Sequence, residues 1–138
     1  MGAGGSRSSG AKMPHMVHER IDETEWGDLL EPLREICLSL PEANETINFG
    51  HPWFRAGKKV FAMFNAGDDG PRVSFRADPV TWDALLEDGR FAPAPYMHHH
   101  GWLTLRLDQS VDWGELEELL LDSYRLQALK RMLRALDA

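Results

Sequence analysis

The chain is predicted to fold as one α+β domain of two layers, an antiparallel β-sheet with helices packed on one of its faces. Three observations lead there. Its 138 residues fit a single domain, which at this size buries roughly 68–70% of its unfolded surface. Helical periodicity marks residues 26–40, 79–89 and 112–136, while period-two patterning marks parts of 45–76 and 102–107. The resulting order of helix, three or four strands, helix, strand and helices lacks the βα alternation of a parallel sheet. There is no internal repeat and no interdomain linker.

The elements follow in turn. Residues 1–20, rich in Gly and Ser without apolar periodicity, are expected to form a disordered leader ahead of a domain spanning 21–138. Met13 and Met16 are alternative starts, and part of the leader could be an expression scar. Met1 to Ser6 fits the short N-myristoylation pattern, which glycine-rich leaders also meet by chance. Its glycines neither follow a strand nor open a helix, which excludes a dinucleotide loop.

Trp26, Leu29, Leu30, Leu33, Ile36, Cys37 and Leu40 share one helical face. Asp28 is expected to cap this helix, leaving Pro32 in its first turn, and Pro41 to stop it. Cys37 lies on the stripe with no reactive partner nearby in sequence, so it reads as core. Trp53 to Arg55 and Lys59 to Phe64 flank a short turn, Ala56-Gly57-Lys58, as a β-hairpin does. The second of these strands is apolar on both faces and is expected to be central. Asp68 to Pro71 form a turn, and Arg72 to Arg76 alternate as a half-buried strand.

Asp78-Pro79 opens a short helix with Trp82, Leu85 and Leu86 inward, closed by Gly89. Phe91 to Tyr96, with two prolines, reads as a loop. Trp102 to Leu107 reads as a strand with Leu103, Leu105 and Leu107 on one face. Asp112 caps the next helix, with Glu115 at the reciprocal capping-box position and Leu116, Leu119 and Leu120 inward. The last amphipathic stripe is Leu126, Leu129, Leu133 and Leu136.

Composition narrows the function classes. A lone cysteine cannot form an internal disulfide, which favours a reducing, cytoplasmic setting. No apolar run reaches the ~18 residues of a membrane span, and the N-terminus lacks a secretory h-region. The net charge of −7 argues against indiscriminate nucleic-acid binding. Yet residues 48–76 carry five basic side chains against two acidic, and residues 123–138 carry four against one. An anion-binding face, if present, is local.

Leu40-Pro41, Phe49-Gly50-His51-Pro52-Trp53-Phe54-Arg55 and Gly57-Lys58-Lys59-Val60-Phe61-Ala62 open a series of motifs. Arg76-Ala77-Asp78-Pro79, Tyr96, Gly101-Trp102, Asp122-Ser123-Tyr124-Arg125-Leu126 and Lys130-Arg131 continue it. In this order and spacing, over residues 28–136, the chain resembles the YjbR/MmcQ-like family. It departs from that pattern in two places. Glu42 stands where the family usually has glycine, and Arg76 stands where it usually has lysine. The run His98 to His100 is no part of the pattern. The resemblance implies a two-layer fold similar to secretion chaperones and a proposed DNA-binding role through a double-wing arrangement, with no assigned catalytic residues.

The residues themselves offer three candidates. Arg55, Lys58, Lys59, Arg72 and Arg76, with Trp53, would let a basic hairpin and its neighbouring strand track a phosphate backbone, the aromatic ring stacking or packing. A solvated sheet face explains the same residues without a partner. Arg125, Lys130, Arg131 and Arg134 form an outer helical stripe, which matters for binding only if folding sets it beside the hairpin. His51, Tyr96, His98, His100 and Trp102 form an alternative small-ligand pocket, or with three imidazoles an open metal site. In an extended chain only His98 and His100 of the run would share a face, and no acidic or cysteine ligand has motif spacing, so no metal and no cofactor are expected. No nucleophile–base pair, phosphate loop or paired-carboxylate motif emerges. The expectation is a non-enzymatic binding module with DNA as its partner, no membrane contact, and a protein–protein adaptor as the remaining alternative.

Overall fold

In the computed structural model, which describes residues 21–138, the first helix α1 spans Gly27–Leu38. Strands β1 (Ala43–Asn48), β2 (His51–Ala56), β3 (Lys59–Gly67) and β4 (Gly70–Arg76) follow as a meander. Helix α2 (Pro79–Glu87), strand β5 (Phe91–Pro93), a 3₁₀ turn at His98–His100 and strand β6 (Trp102–Arg106) come next. Helices α3 (Trp113–Gln127) and α4 (Lys130–Leu136) close the chain. The six strands form one antiparallel sheet in the order β1-β2-β3-β4-β6-β5. The strand expected to be central, now β3, lies inside the sheet.

The core fills the space between this sheet and the helices. Leu30, Leu33 and Cys37 of α1 meet Leu116, Leu120 and Tyr124 of α3 over Phe54, Phe61, Phe64, Val73 and Phe75. Each large side chain buried there contributes about 1.5–3 kcal/mol by leaving water. Burial also pushes the Cys37 thiol far above its ordinary range, as suits a core residue. Ser123 ties the layers together by hydrogen bonds. Its hydroxyl accepts from the Arg76 backbone N–H (2.9 Å) and donates to the Phe61 carbonyl (2.7 Å). Tyr124 donates to the Pro41 carbonyl (2.7 Å), anchoring α3 to the end of the α1 segment.

The structure departs from the sequence reading at several places. Helix α1 begins before Asp28, with Trp26 at the N-cap and no side-chain cap, so Pro32 lies beyond the first turn. The proline removes one bond to the Asp28 carbonyl, at an exposed position where water can replace it. Phe91 to Pro93 pair with β6 as an edge strand, because an edge tolerates proline where a central strand does not. Helix α2 ends at Glu87 with Asp88 as its C-cap, whose carboxylate accepts from the Arg90 backbone N–H, and Gly89 is not needed in a left-handed conformation. Trp82 and Leu85 pack on the core, but Leu86, expected inward, is exposed. Asp112 does cap α3 through the Glu115 N–H, but the Glu115 carboxylate turns to Arg90 (2.8 Å). Finally, extended backbone at Ala128 and Leu129 resets the helical phase, so Met132 is buried while Leu126 and Leu129 stay exposed.

The second face of the sheet is only partly covered. There Met63, Ala94 and Trp102 form a small separate apolar cluster with Trp53, Val60 and Met97. The segment after β5 folds back over the sheet to build it, through Ala94 N–H to the Trp102 carbonyl (3.0 Å). No described helix is long and apolar enough to cross a membrane. The expected leader, residues 1–20, lies outside the described residues.

Candidate nucleic-acid interface

Strand alternation sorts the charges. Among all six strands the only acidic residue is Glu45, and it faces the helical layer, where Arg34 holds it at 2.8 Å. Arg55, Arg72, Arg76 and Arg106 lie on the opposite phase. Cross-strand register aligns Trp53 with Met63, Met63 with Ser74, and Ser74 with Thr104. The next row runs from Asn65 through Arg72 to Arg106. The open face is thus an apolar and hydroxyl-bearing row bordered by guanidinium groups.

The guanidinium groups differ in what holds them. Arg55 donates Nε to Thr46 Oγ1 (3.1 Å) and Nη1 to the Lys58 carbonyl (2.9 Å), lying along the hairpin. Arg72 donates Nε and Nη2 to one Asp69 oxygen (3.1 and 2.7 Å). Arg106 donates to the Asp69 carbonyl, so both arginines gather at the β3–β4 turn. Hydrogen bonding from Arg72 holds the Asp69 carboxyl below its ordinary range. Arg76 is spent on structure. Its Nε donates to the His100 carbonyl (3.1 Å) and its Nη1 to Gln127 Oε1 (2.8 Å). A guanidinium reaches both acceptors at a fixed angle, which explains arginine where the family usually has lysine.

Lys58 and Lys59 are exposed and make no ion pair among the described residues. The second basic segment does come beside them. Met132 of α4 packs against Gly57 of the hairpin turn, Gly57 donates to the Glu42 carbonyl (3.1 Å), and the Glu42 carboxylate pairs with Arg131 (2.8 Å). Lys130 and Arg134, also exposed and without an ion pair among the described residues, therefore share the hairpin end of the molecule.

Trp53 sits between this end and an open groove of about 330 Å³, lined by Met63, Arg72, Ser74, Tyr96, Met97 and Thr104 among others. Phe49 approaches the indole at 5.8 Å between ring centroids. The Trp53 Nε1 hydrogen is buried and meets no acceptor, a cost of about 1–3 kcal/mol for a polar group so placed.

The alternative pocket residues are dispersed. His51 turns its ring nitrogens to the Phe49 (2.9 Å) and Ala66 (3.4 Å) carbonyls, pinning the β1–β2 turn to β3. Tyr96 is 91% exposed on the rim of the groove, whereas Trp102 is 3% exposed in the cluster with Met63 and Ala94. His98 and His100 line a different depression with Arg76, Asp78, Trp82 and Leu126. The histidine run forms a 3₁₀ turn and not an extended segment, and its rings pack on one another, His98 against His99 at 5.6 Å and His99 against His100 at 4.0 Å between centroids. Among the described residues no group of three His, Cys, Asp or Glu side chains is placed to hold a metal ion.

Sequence reasoning missed Arg106, Asn65 and Phe49. Arg106 carries a signal, since it follows the polar phase opposite Leu103, Leu105 and Leu107, but its pairing with Arg72 needs the strand order. Phe49 is exposed at a left-handed φ of 53°, a conformation that sequence patterning does not reveal for an aromatic residue.

Comparison with known proteins bears on this arrangement. The sequence model of the family described as YjbR matches residues 38–126. A crystal structure of the Deinococcus radiodurans protein DR2400, described with the domain DUF419, is similar with a TM-score of 0.63 and 28% identity. That match covers 78% of this chain and 87% of the other. A Pseudomonas syringae protein has a TM-score of 0.55 at 16% identity, covering 78% of this chain and 99% of the other, and its likeness is one of fold. No curated protein matches the chain.

Proposed function

The chain belongs to the YjbR family, and from that premise we propose that it is a non-catalytic nucleic-acid-binding module working through the open sheet face and the hairpin end. One observation carries the reading: basic strand residues collect on the open face and at the hairpin turn, while the only carboxylate on the described strands points away. A chain with a net charge of −7 repels polyanions everywhere except at such a patch, so the patch also sets the docking orientation. Lys58, Lys59, Lys130 and Arg134 bind phosphates, as their ammonium and guanidinium groups have no acid partner among the described residues to give up. Arg55 borders the face, and Arg72 and Arg106 contribute by releasing part of their hold on Asp69. Arg76 serves the scaffold.

Fluorescence anisotropy with labelled single- and double-stranded DNA, at low and moderate salt, tests this. Saturable binding should weaken steeply as salt rises. Replacing Lys58 and Lys59 by alanine should flatten the salt slope by about 0.7–0.9 for each phosphate that is no longer neutralised. Arginine replacements at the same positions should keep it. An absence of binding even at low salt overturns the reading.

A further inference from the structure

We infer that the groove beside Trp53 is a subsite for one unpaired nucleobase, so that the open face prefers single-stranded nucleic acid to duplex. This rests on the nucleic-acid reading and adds to it the form of the strand. The floor is the side chains of Trp53 and Met63, which offer apolar surface on the solvent side of the sheet, where a folded domain ordinarily places polar groups. Its volume of about 330 Å³ lies at the small end for ligand pockets, enough for one ring system and little more.

Polar groups in the groove suit the edge of a base. The Ser74 hydroxyl, opposite Met63 in the next strand and in the groove lining, makes no hydrogen bond among the described residues. A base carries ring nitrogens and carbonyl oxygens as acceptors and amino groups as donors, and it carries a π-face for the indole. A base pair inside a duplex has its π-faces stacked on its neighbours and its pairing edge occupied, so it can satisfy neither surface.

The rim supplies an independent observation. Only three described non-glycine residues have φ in the left-handed region, namely Glu42, Phe49 and Tyr96. Two of these are aromatic, both are exposed, and both flank Trp53: Phe49 by ring contact at 5.8 Å, Tyr96 across the shared groove. At Tyr96, which is 91% exposed, burial does not offset that backbone strain, the kind of cost found where a site is being shaped. Arg72 and Arg106 stand in the row on one side of the groove row, and Arg55 in the row on its other side, toward the hairpin. A strand laid across the face would therefore place a base in the groove and phosphates to either side.

The test measures anisotropy of three labelled probes of about 12 nucleotides, within the span a single sheet-based module covers: a mixed-sequence single strand, its duplex, and a single strand of abasic sugar-phosphate. The single strand should bind at least about fivefold tighter than the other two, one stacked base being worth between about fivefold and somewhat over about a hundredfold. Tyr96→Ala should weaken single-strand binding within that range and leave the salt slope unchanged, because stacking on a base releases no counterions. Equal binding of all three probes, with Tyr96→Ala silent, overturns the subsite while leaving phosphate binding by the hairpin end intact. Failure of every probe to bind overturns both.

Discussion

Met132 meets the hairpin turn at Gly57 so closely that a methyl group added there would lie 2.6 Å from its Cε. The glycine also has φ 62°, in the left-handed region. These two residues bring the segments 48–76 and 123–138 together, and with them the two basic groups separated in sequence. Gly57→Ala must both strain the turn and displace Met132. We expect it to destabilise the fold by about 1–3 kcal/mol in urea unfolding and to weaken nucleic-acid binding beyond that loss of folded protein. A midpoint within a few tenths of a molar of the parent would mean that α4 is not seated against the hairpin as described.

Ser123 occupies the point where α3 crosses the two central strands, and none of its surface is exposed. Ser123→Ala strands the Phe61 carbonyl without its side-chain donor and the Arg76 N–H without its acceptor. The expected cost is about 1–3 kcal/mol, mostly the desolvation of those two backbone groups. Because Arg76 N–H is at the end of β4, hydrogen exchange at that amide should quicken more than at Val73 or Phe75. Uniform protection across the strand would contradict this role.

How far the sequence was legible depended on the kind of signal. Leu30, Leu33 and Cys37, or Leu103, Leu105 and Leu107, announce their faces by spacing, and burial follows spacing directly. The β5 strand has only three residues, one of them proline, too few to carry a period. The 3₁₀ turn at His98–His100 likewise has no apolar pattern. For the site, Trp53, Lys58 and Lys59 could be picked out because residue type alone is informative. What each arginine does could not, because Arg76 and Arg72 share a strand phase and differ only in acceptors that folding supplies. Gln127 and His100 claim Arg76 from distant positions, while Asp69, three residues away, claims Arg72. The pairing of Arg72 with Arg106, and the aromatic rim at Phe49 and Tyr96, depend on strand order and on φ, neither of which a single sequence displays.

Glu42 has φ 55° where the family usually has glycine, and its carboxylate is paired with Arg131. The ion pair explains how a residue with a side chain is retained at a position whose backbone favours none. Glu42→Ala removes the pair and keeps the strain. Glu42→Gly removes both. The glycine variant should therefore melt above the alanine variant. The reverse order would show that the unfolded-state entropy of glycine outweighs relief at this turn.

Acid should unfold the protein through carboxylates whose native partners are lost on protonation. Hydrogen bonds from Arg90 lower the Asp88 pKa to about 2, and Arg131 lowers that of Glu42 by the same means. A carboxyl whose folded pKa lies below its unfolded value binds fewer protons when folded, so its contribution is present above the unfolded value near 4. The contribution is then lost as pH falls toward about 2 for Asp88. Both groups are exposed, so salt should reduce each contribution. Urea midpoints should hold steady from neutrality to about pH 5 and decline below about pH 4, the range in which carboxyl groups titrate in unfolded chains. Asp88→Asn should be less stable than the parent at neutral pH and approach it near pH 2, where the parent's carboxyl is itself protonated. Two midpoint curves that stay parallel across that range would assign Asp88 no part in the acid transition.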